Sequence, residues 1–321
     1  MIRMGKSAII LYALWASGAT GQTPPVAVET TSAPAERLEP HHAPEGYVLV
    51  WSDEFATDGL PDAARWRYDT HRNREGWYNQ ERQYYAEARP ENSRVENGRL
   101  IIEAREELLD PARFPDWGRQ RYTSARLLTQ GVQAWTYGFF EIRAKLPCGV
   151  GTWPAIWMLP EDRAVEWPNG GEIDIMEHVG HVPGEINQSV HTRAFNFTRN
   201  TQKTTKFRVD DACETMHRYQ LLWTPEFVLT GVDDQPKFLF RSMPGDRTRW
   251  PFDQPMHLLL NIAVGGNWGG QRGIDAAAFP ARFEIDYVRV YQQQAPGASP
   301  APASPAVSPA TDAAVAQPQA R

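Results

Sequence analysis

One heptapeptide limits the folds open to this chain more than any other stretch. It is Gly171-Glu172-Ile173-Asp174-Ile175-Met176-Glu177, in which three acids alternate with apolar residues. Side chains of an extended strand alternate between faces, so Glu172, Asp174 and Met176 share one side. Glu177 then falls out of step by one residue. A single-residue β-bulge near Met176 restores it, putting Glu172, Asp174 and Glu177 on one face. At ~3.3 Å per residue, the Cα atoms of Glu172 and Glu177 are ~13 Å apart. Two glutamates leaning together bring their carboxyl groups to roughly 5–6 Å, the spacing of a retaining glycosidase (~5–5.5 Å) rather than an inverting one (~6.5–9.5 Å). The alternative is a solvated strand edge, but three like charges on one face repel and need a reason.

A period of two recurs along the block from residue 45 to 293. Phe140, Ile142, Ala144 and Leu146 alternate with Glu141, Arg143 and Lys145. Leu100, Ile102 and Ala104 alternate with Ile101, Glu103 and Arg105, and Tyr219, Leu221 and Trp223 follow the same pattern. The stretch from Phe227 to Phe240 reads as a hairpin turning at Asp233-Asp234. Phe283 to Tyr291 is apolar or aromatic on both faces, as in a central strand. A short helix is expected around Pro61 to Trp66; long amphipathic helical patterns are missing. Many short strands separated by Gly and Pro predict an all-β sandwich.

The ends differ from this block. Arg3 and Lys6, an apolar stretch from Ala8 to Ala16 and the small residues that follow read as an export signal over 1–21. The apolar stretch is too short for a permanent span. Residues 22–44 and 294–321, rich in Pro and Ala, read as a disordered leader and tail. A soluble secreted or periplasmic protein is expected. In an oxidising compartment Cys148 and Cys213 can pair, the alternative being two buried thiols. The formal charge of −6 supplies no basic footprint for nucleic acid or an anionic membrane.

The 12 tryptophans suit neutral, ring-shaped ligands. Trp153 and Trp268 sit near glycines, which supply little core, and are expected to stack on sugar rings. Trp135, Trp223 and Trp250 are expected to fill the core. His178, His181 and His191 do not make a convincing metal cluster, since no His-Glu-x-x-His helix is present.

Glu172-Ile173-Asp174-Ile175-Met176-Glu177 resembles the signature of glycoside hydrolase family 16, in the longer form of laminarinase-like endo-β-1,3-glucanases. The likeness extends, in family order, through Trp51 to Phe55, Tyr78 to Tyr85, Tyr122 to Arg126, Trp135 to Gly138, Gly151 to Met158, Val190 to Thr192, Pro251 to Pro255, Asn261 to Gly270 and Asp286 to Tyr291. It implies a jelly-roll β-sandwich of the concanavalin A-like kind, with a concave glycan cleft. It implies Glu172 as nucleophile, Asp174 as its supporting carboxylate and Glu177 as general acid/base. Trp153 and Trp157 would line donor subsites, Asn79 and Arg126 would bind sugar hydroxyls, His191 would lie near Glu177, and Trp268 would border the cleft. Catalysis would need no cofactor. A structural Ca²⁺ would use Asp286, with Glu54 nearby. The implied partner is a β-glucan polysaccharide, acted on by a monomer. Mixed-linkage β-1,3-1,4-glucan, a galactan, transglycosylation and a non-catalytic β-glucan-binding role remain open alternatives, although binding proteins of this scaffold typically lose a catalytic Glu. Asn169-Gly170 departs from the family's commonest pattern, in which a bulkier or sulfur-containing residue precedes Gly171.

Overall fold

A computed structural model describes residues 42–294. The export signal, nearly all of the leader and nearly all of the tail lie outside the described residues. In chain order the strands are β1 (Tyr47–Asp53), β2 (Arg67–Tyr68), β3 (Gln83–Tyr85), β4 (Ser93–Glu96), β5 (Arg99–Glu106), β6 (Tyr122–Ser124), β7 (Arg126–Leu128), β8 (Gly138–Lys145) and β9 (Thr152–Pro160). They continue with β10 (Glu172–His178), β11 (Glu185–His191), β12 (Lys203–Arg208), β13 (His217–Trp223), β14 (Phe227–Val232), β15 (Gln235–Arg241), β16 (Met256–Val264) and β17 (Ala281–Gln293).

These strands make two sheets. The larger runs β15-β14-β13-β8-β17-β5-β6-β3, with β1 added to β17 and β4 to β5; the seven-stranded sheet runs β12-β11-β10-β9-β16-β7-β2. The alternation read from the sequence sets which residues meet between them. Phe140, Ile142 and Ala144 of β8, Leu100 and Ile102 of β5, and Ile285, Val288 and Val290 of β17 join one core. Ile156 and Met158 of β9, Ile173 and Ile175 of β10, and Leu258, Leu260 and Ile262 of β16 belong to the same core. Trp135, Trp223 and Trp250 are buried in it as expected. Asp233 and Asp234 turn the β14–β15 hairpin with φ of 49° and 63°, a left-handed pair that short acidic side chains tolerate.

Residues 61–66 form a turn instead of the expected helix. The Asp62 carboxylate accepts the Ala64 N–H at 2.8 Å, and its carbonyl accepts those of Arg65 and Trp66. Trp66 is drawn into the core, and Arg67 already pairs with β7, so the turn has no room to propagate. The only α-helical piece among the described residues is α1 (Gly266–Gly269).

Cys148, between β8 and β9, is joined to Cys213, between β12 and β13, with Cα atoms 5.7 Å apart. The bond therefore ties together two of the connections by which the chain crosses between the sheets.

The calcium expectation does not fit this structure. Asp286 Oδ2 lies 2.5 Å from Arg143 Nη1, and both Glu54 oxygens are held by Arg289 at 2.8 and 2.9 Å. Each carboxylate already has its own guanidinium, and the two do not converge in a shared oxygen cage.

Candidate active site

Two glycines admit the chain to β10. At Gly170 a Cβ would lie 2.2 Å from Pro160 Cγ, and at Gly171, with φ of +80°, it would lie 2.6 Å from Phe252 Cε1. The departure at Gly170 therefore fills a seat in which no side chain fits. From Glu172 onward β10 pairs with β9 and β11. Asp174 faces Trp157 and Met176 faces Ile156 on one side; Asp174 faces Ser189 and Glu177 faces Asn187 on the other. The extra residue falls at Ile175–Met176, where the sequence places the bulge.

Energetics explain why the bulge is tolerated. Ile175 and Met176 are both fully buried in the core. Each such burial is worth about 1.5–3 kcal/mol, against about 0.5–1.5 kcal/mol for a ladder hydrogen bond. Packing wins. Glu177 is thereby returned to the face carrying Glu172 and Asp174.

That face floors a cleft of about 830 Å³. Glu172, Asp174, Glu177, Asn79, Arg126, Trp153 and Trp157 all line it. The general-acid candidate Glu177 accepts the Trp153 indole N–H at 3.1 Å. Arg126 sits with its guanidinium 4.6 Å from the Trp157 ring and 5.2 Å from Trp77, its Nε 3.1 Å from Asp69. Trp157 donates to Asn261 at 2.8 Å, and Asn261 donates to Tyr85. His191 turns to Asp174, with Nε2 3.2 Å from Oδ2. Trp268, on α1, is half-buried and meets Trp153 edge to face with centroids 5.2 Å apart.

The acids have few cations to steady them. Burial, then the charge of Asp174, holds the Glu177 carboxyl well above the usual range; His191 and the Trp153 hydrogen bond oppose this only in part. Burial and the neighbouring Glu172, with which it is hydrogen-bonded, likewise push Asp174 well up. Asp174 therefore keeps its proton at pH values where an exposed carboxylate has lost its own.

Several cleft residues escaped the sequence reading. Trp167 donates its indole N–H to Glu172 Oε2 at 2.6 Å and packs beside Phe197 and His191. Its signal was a tryptophan five positions before the first acid. Glu81, held by Gln83 at 2.8 Å, is a further cleft acid, and its carboxyl is raised chiefly by burial. Asp69 is its opposite. Burial pulls its carboxyl up, but the His71 hydrogen bond and the Arg126 charge prevail and hold it low. Asp69 lies in no run that sequence pattern marks, and Glu81, although inside the Tyr78 to Tyr85 segment of the family likeness, carries no alternation that singles it out.

Comparison with known proteins agrees with this geometry. The family model for glycosyl hydrolases family 16 matches residues 80–289. A β-glucanase of Rhodothermus marinus is 52% identical over 255 residues, covering 76% of this chain and 85% of that protein. The solved laminarinase of the same organism is 51% identical, with a TM-score of 0.72 over 78% of this chain and 98% of that one. SCLam, described as a non-specific endo-β-1,3(4)-glucanase, is 53% identical with a TM-score of 0.77, over 80% of this chain and 95% of that one. Two packed sheets, a bulged acidic strand on the cleft face and matches of this extent have one reading: the chain belongs to glycoside hydrolase family 16.

Proposed function

We propose that the protein is a retaining endo-glucanase that cleaves internal β-1,3 linkages of laminarin-like β-glucans. The carrying observation is the bulge in β10, which gathers Glu172, Asp174 and Glu177 on the floor of one cleft. The relatives named above are β-glucanases and laminarinases, and this supports the substrate class.

The chemistry follows from the environments. Glu172, steadied by Trp167, attacks the anomeric carbon while protonated Glu177 gives its proton to the leaving oxygen. Asp174, hydrogen-bonded to Glu172, orients it. Water then opens the glycosyl-enzyme, with Glu177 as base. Burial and the nearby acids keep Glu177 protonated for the first step. Trp157 and Arg126 offer an aromatic face and a guanidinium to the donor sugars. No step needs a metal or organic cofactor.

Mixed-linkage β-1,3-1,4-glucan is the second reading, favoured by the non-specific activity stated for SCLam. A product profile on laminarin, lichenan and agarose separates the two, and laminarin is expected to yield a spread of oligosaccharides. The double displacement has its own test. Glu172→Ala with azide should release an inverted glycosyl azide, and Glu177→Ala with azide the retained one. Wild-type hydrolysis by Glu172→Gln would end the assignment.

Export over residues 1–21 and action as a soluble monomer complete the proposal. The Cys148–Cys213 bond suits an oxidising compartment. N-terminal sequencing of the secreted protein and its sedimentation mass are the checks.

A further inference from the structure

One residue of β10 belongs to neither of its neighbouring strands. Against β9 the pairing passes from Asp174 to Met176, and against β11 from Asp174 to Glu177, so Ile175 is paired on neither side. A bulge takes such a residue out of the ladder, and its buried carbonyl needs a donor from elsewhere. The donor is Gln188. It stands on β11 between Asn187 and Ser189, which lie opposite Glu177 and Asp174, so its own side chain points the other way, between the sheets. Its Nε2 donates to the Ile175 carbonyl at 2.9 Å.

The rest of that amide is engaged on the opposite sheet. Nε2 also donates to the Gly231 carbonyl at 3.3 Å, and Oε1 accepts the Thr230 hydroxyl at 2.8 Å, both residues lying on β14. Turned over, the amide would set its oxygen against two carbonyls, so its orientation is fixed. Gln188 and Thr230 are fully buried, and their same-face neighbours Ile186, Val190 and Val228 belong to the apolar core. A polar group in such a place is costly unless all its bonds are made. What this amide does that a hydrocarbon cannot is hold a carbonyl of the acidic strand.

We propose that Gln188 is a positioning residue for the general acid, a role that rests on the glucanase reading. It tethers the extra residue of β10 to β14 of the other sheet, and so fixes the bulge that turns Glu177 back to the cleft. Thr230 holds the amide in its working orientation. Glu172 and Asp174 precede the bulge and keep their own pairing with β11, whereas Glu177 follows it. Losing the tether therefore displaces the acid and leaves the nucleophile in place. The defect is one of proton donation.

The test uses two substrates that differ in their need for a proton. The sugar leaving from laminarin must be protonated; the dinitrophenyl β-glycoside of laminaribiose releases a phenolate that needs none. For Gln188→Met, kcat/KM on laminarin should fall about a hundredfold, the cost of roughly an ångström of misplacement, and on the dinitrophenyl glycoside less than about threefold. The alkaline limb on laminarin should move to lower pH, because the burial that raises Glu177 is relieved. Thr230→Val should show the same selective loss in smaller measure, and Thr230→Ser, which keeps the hydroxyl, should recover it. An equal loss on both substrates, or a lower Tm with unchanged kinetics, would make Gln188 a polar core residue and overturn the proposal. Where Gln188→Met folds poorly the threonine variants decide, and a Thr230→Val protein with wild-type hydrolysis of laminarin and an unmoved limb overturns it as well. Wild-type protein inactive on both substrates would refute the glucanase reading, and this role with it.

Discussion

The two sheets treat their acids in opposite ways. On the ten-stranded sheet, Glu103 is 1% exposed and contacted by Arg94, Arg105 and Arg282; Glu284 lies 2.6 Å from Lys145 and 3.0 Å from Arg99. Burial pulls the Glu284 carboxyl up, but these cations outweigh it and hold it low. On the seven-stranded sheet, Glu172 and Glu177 are met by indoles and Asp174 by a histidine, and no guanidinium or ammonium is bonded to any of the three. Both sheets carry acids at alternating positions. Only the cleft face of the seven-stranded sheet leaves these three acids without a guanidinium or ammonium, and burial there leaves Glu177 a proton to give.

The contrast breaks most visibly through the nucleophile. Glu172→Gln should lower kcat on laminarin by more than about a thousandfold, since the covalent step is lost, while circular dichroism shows an intact β-sandwich. Residual activity above that level would mean that the cleft acids are not the machinery.

Next comes pH. Glu177 acts as an acid only while protonated, so kcat/KM should fall as pH rises through its raised pKa, well above the ordinary glutamate value of about 4.3. In Asp174→Asn one charge that raises Glu177 is gone, and the alkaline limb should move to lower pH. An unmoved limb would detach Glu177 from its neighbours.

The same shift has a stability cost with a definite sign. A carboxyl raised in the folded state binds protons that the unfolded chain has released, so stability falls as pH rises from the unfolded to the folded pKa. Glu177→Gln should therefore melt above wild type at pH 7 and show a smaller advantage at pH 4. Thermal scans at both values decide it.

The smallest effect is expected on the other sheet. Glu54→Gln and Asp286→Asn each remove one side of a partly exposed ion pair, a loss of at most about 1 kcal/mol. Hydrolysis should be unchanged, and Tm should be the same in chelator and in calcium. A calcium-dependent rise of several degrees would show a metal among residues that the arginines now occupy.

The sequence carried the site's core because one irregularity is visible in it. Alternating acids with Glu177 out of step require a bulge, and burial of Ile175 and Met176 dictates which side it favours. The calcium ligands failed for the complementary reason. Pattern marks Glu54 and Asp286 as acids but cannot show that Arg289 and Arg143, 235 and 143 residues away, reach them. Trp167 and Asp69 were missed alike, since a lone indole or aspartate has no periodic signature.

What the amino-acid order determined by itself was local and repetitive: strand faces, the turn at Asp233-Asp234, the kink in the acidic strand and the tryptophans of the core. Those features depend on neighbours two or three residues apart. Which acids are paired with a cation and which are left bare was decided only when strands far apart in the chain were laid side by side. Charge compensation acts through a few ångströms of space, and chain position does not encode that distance.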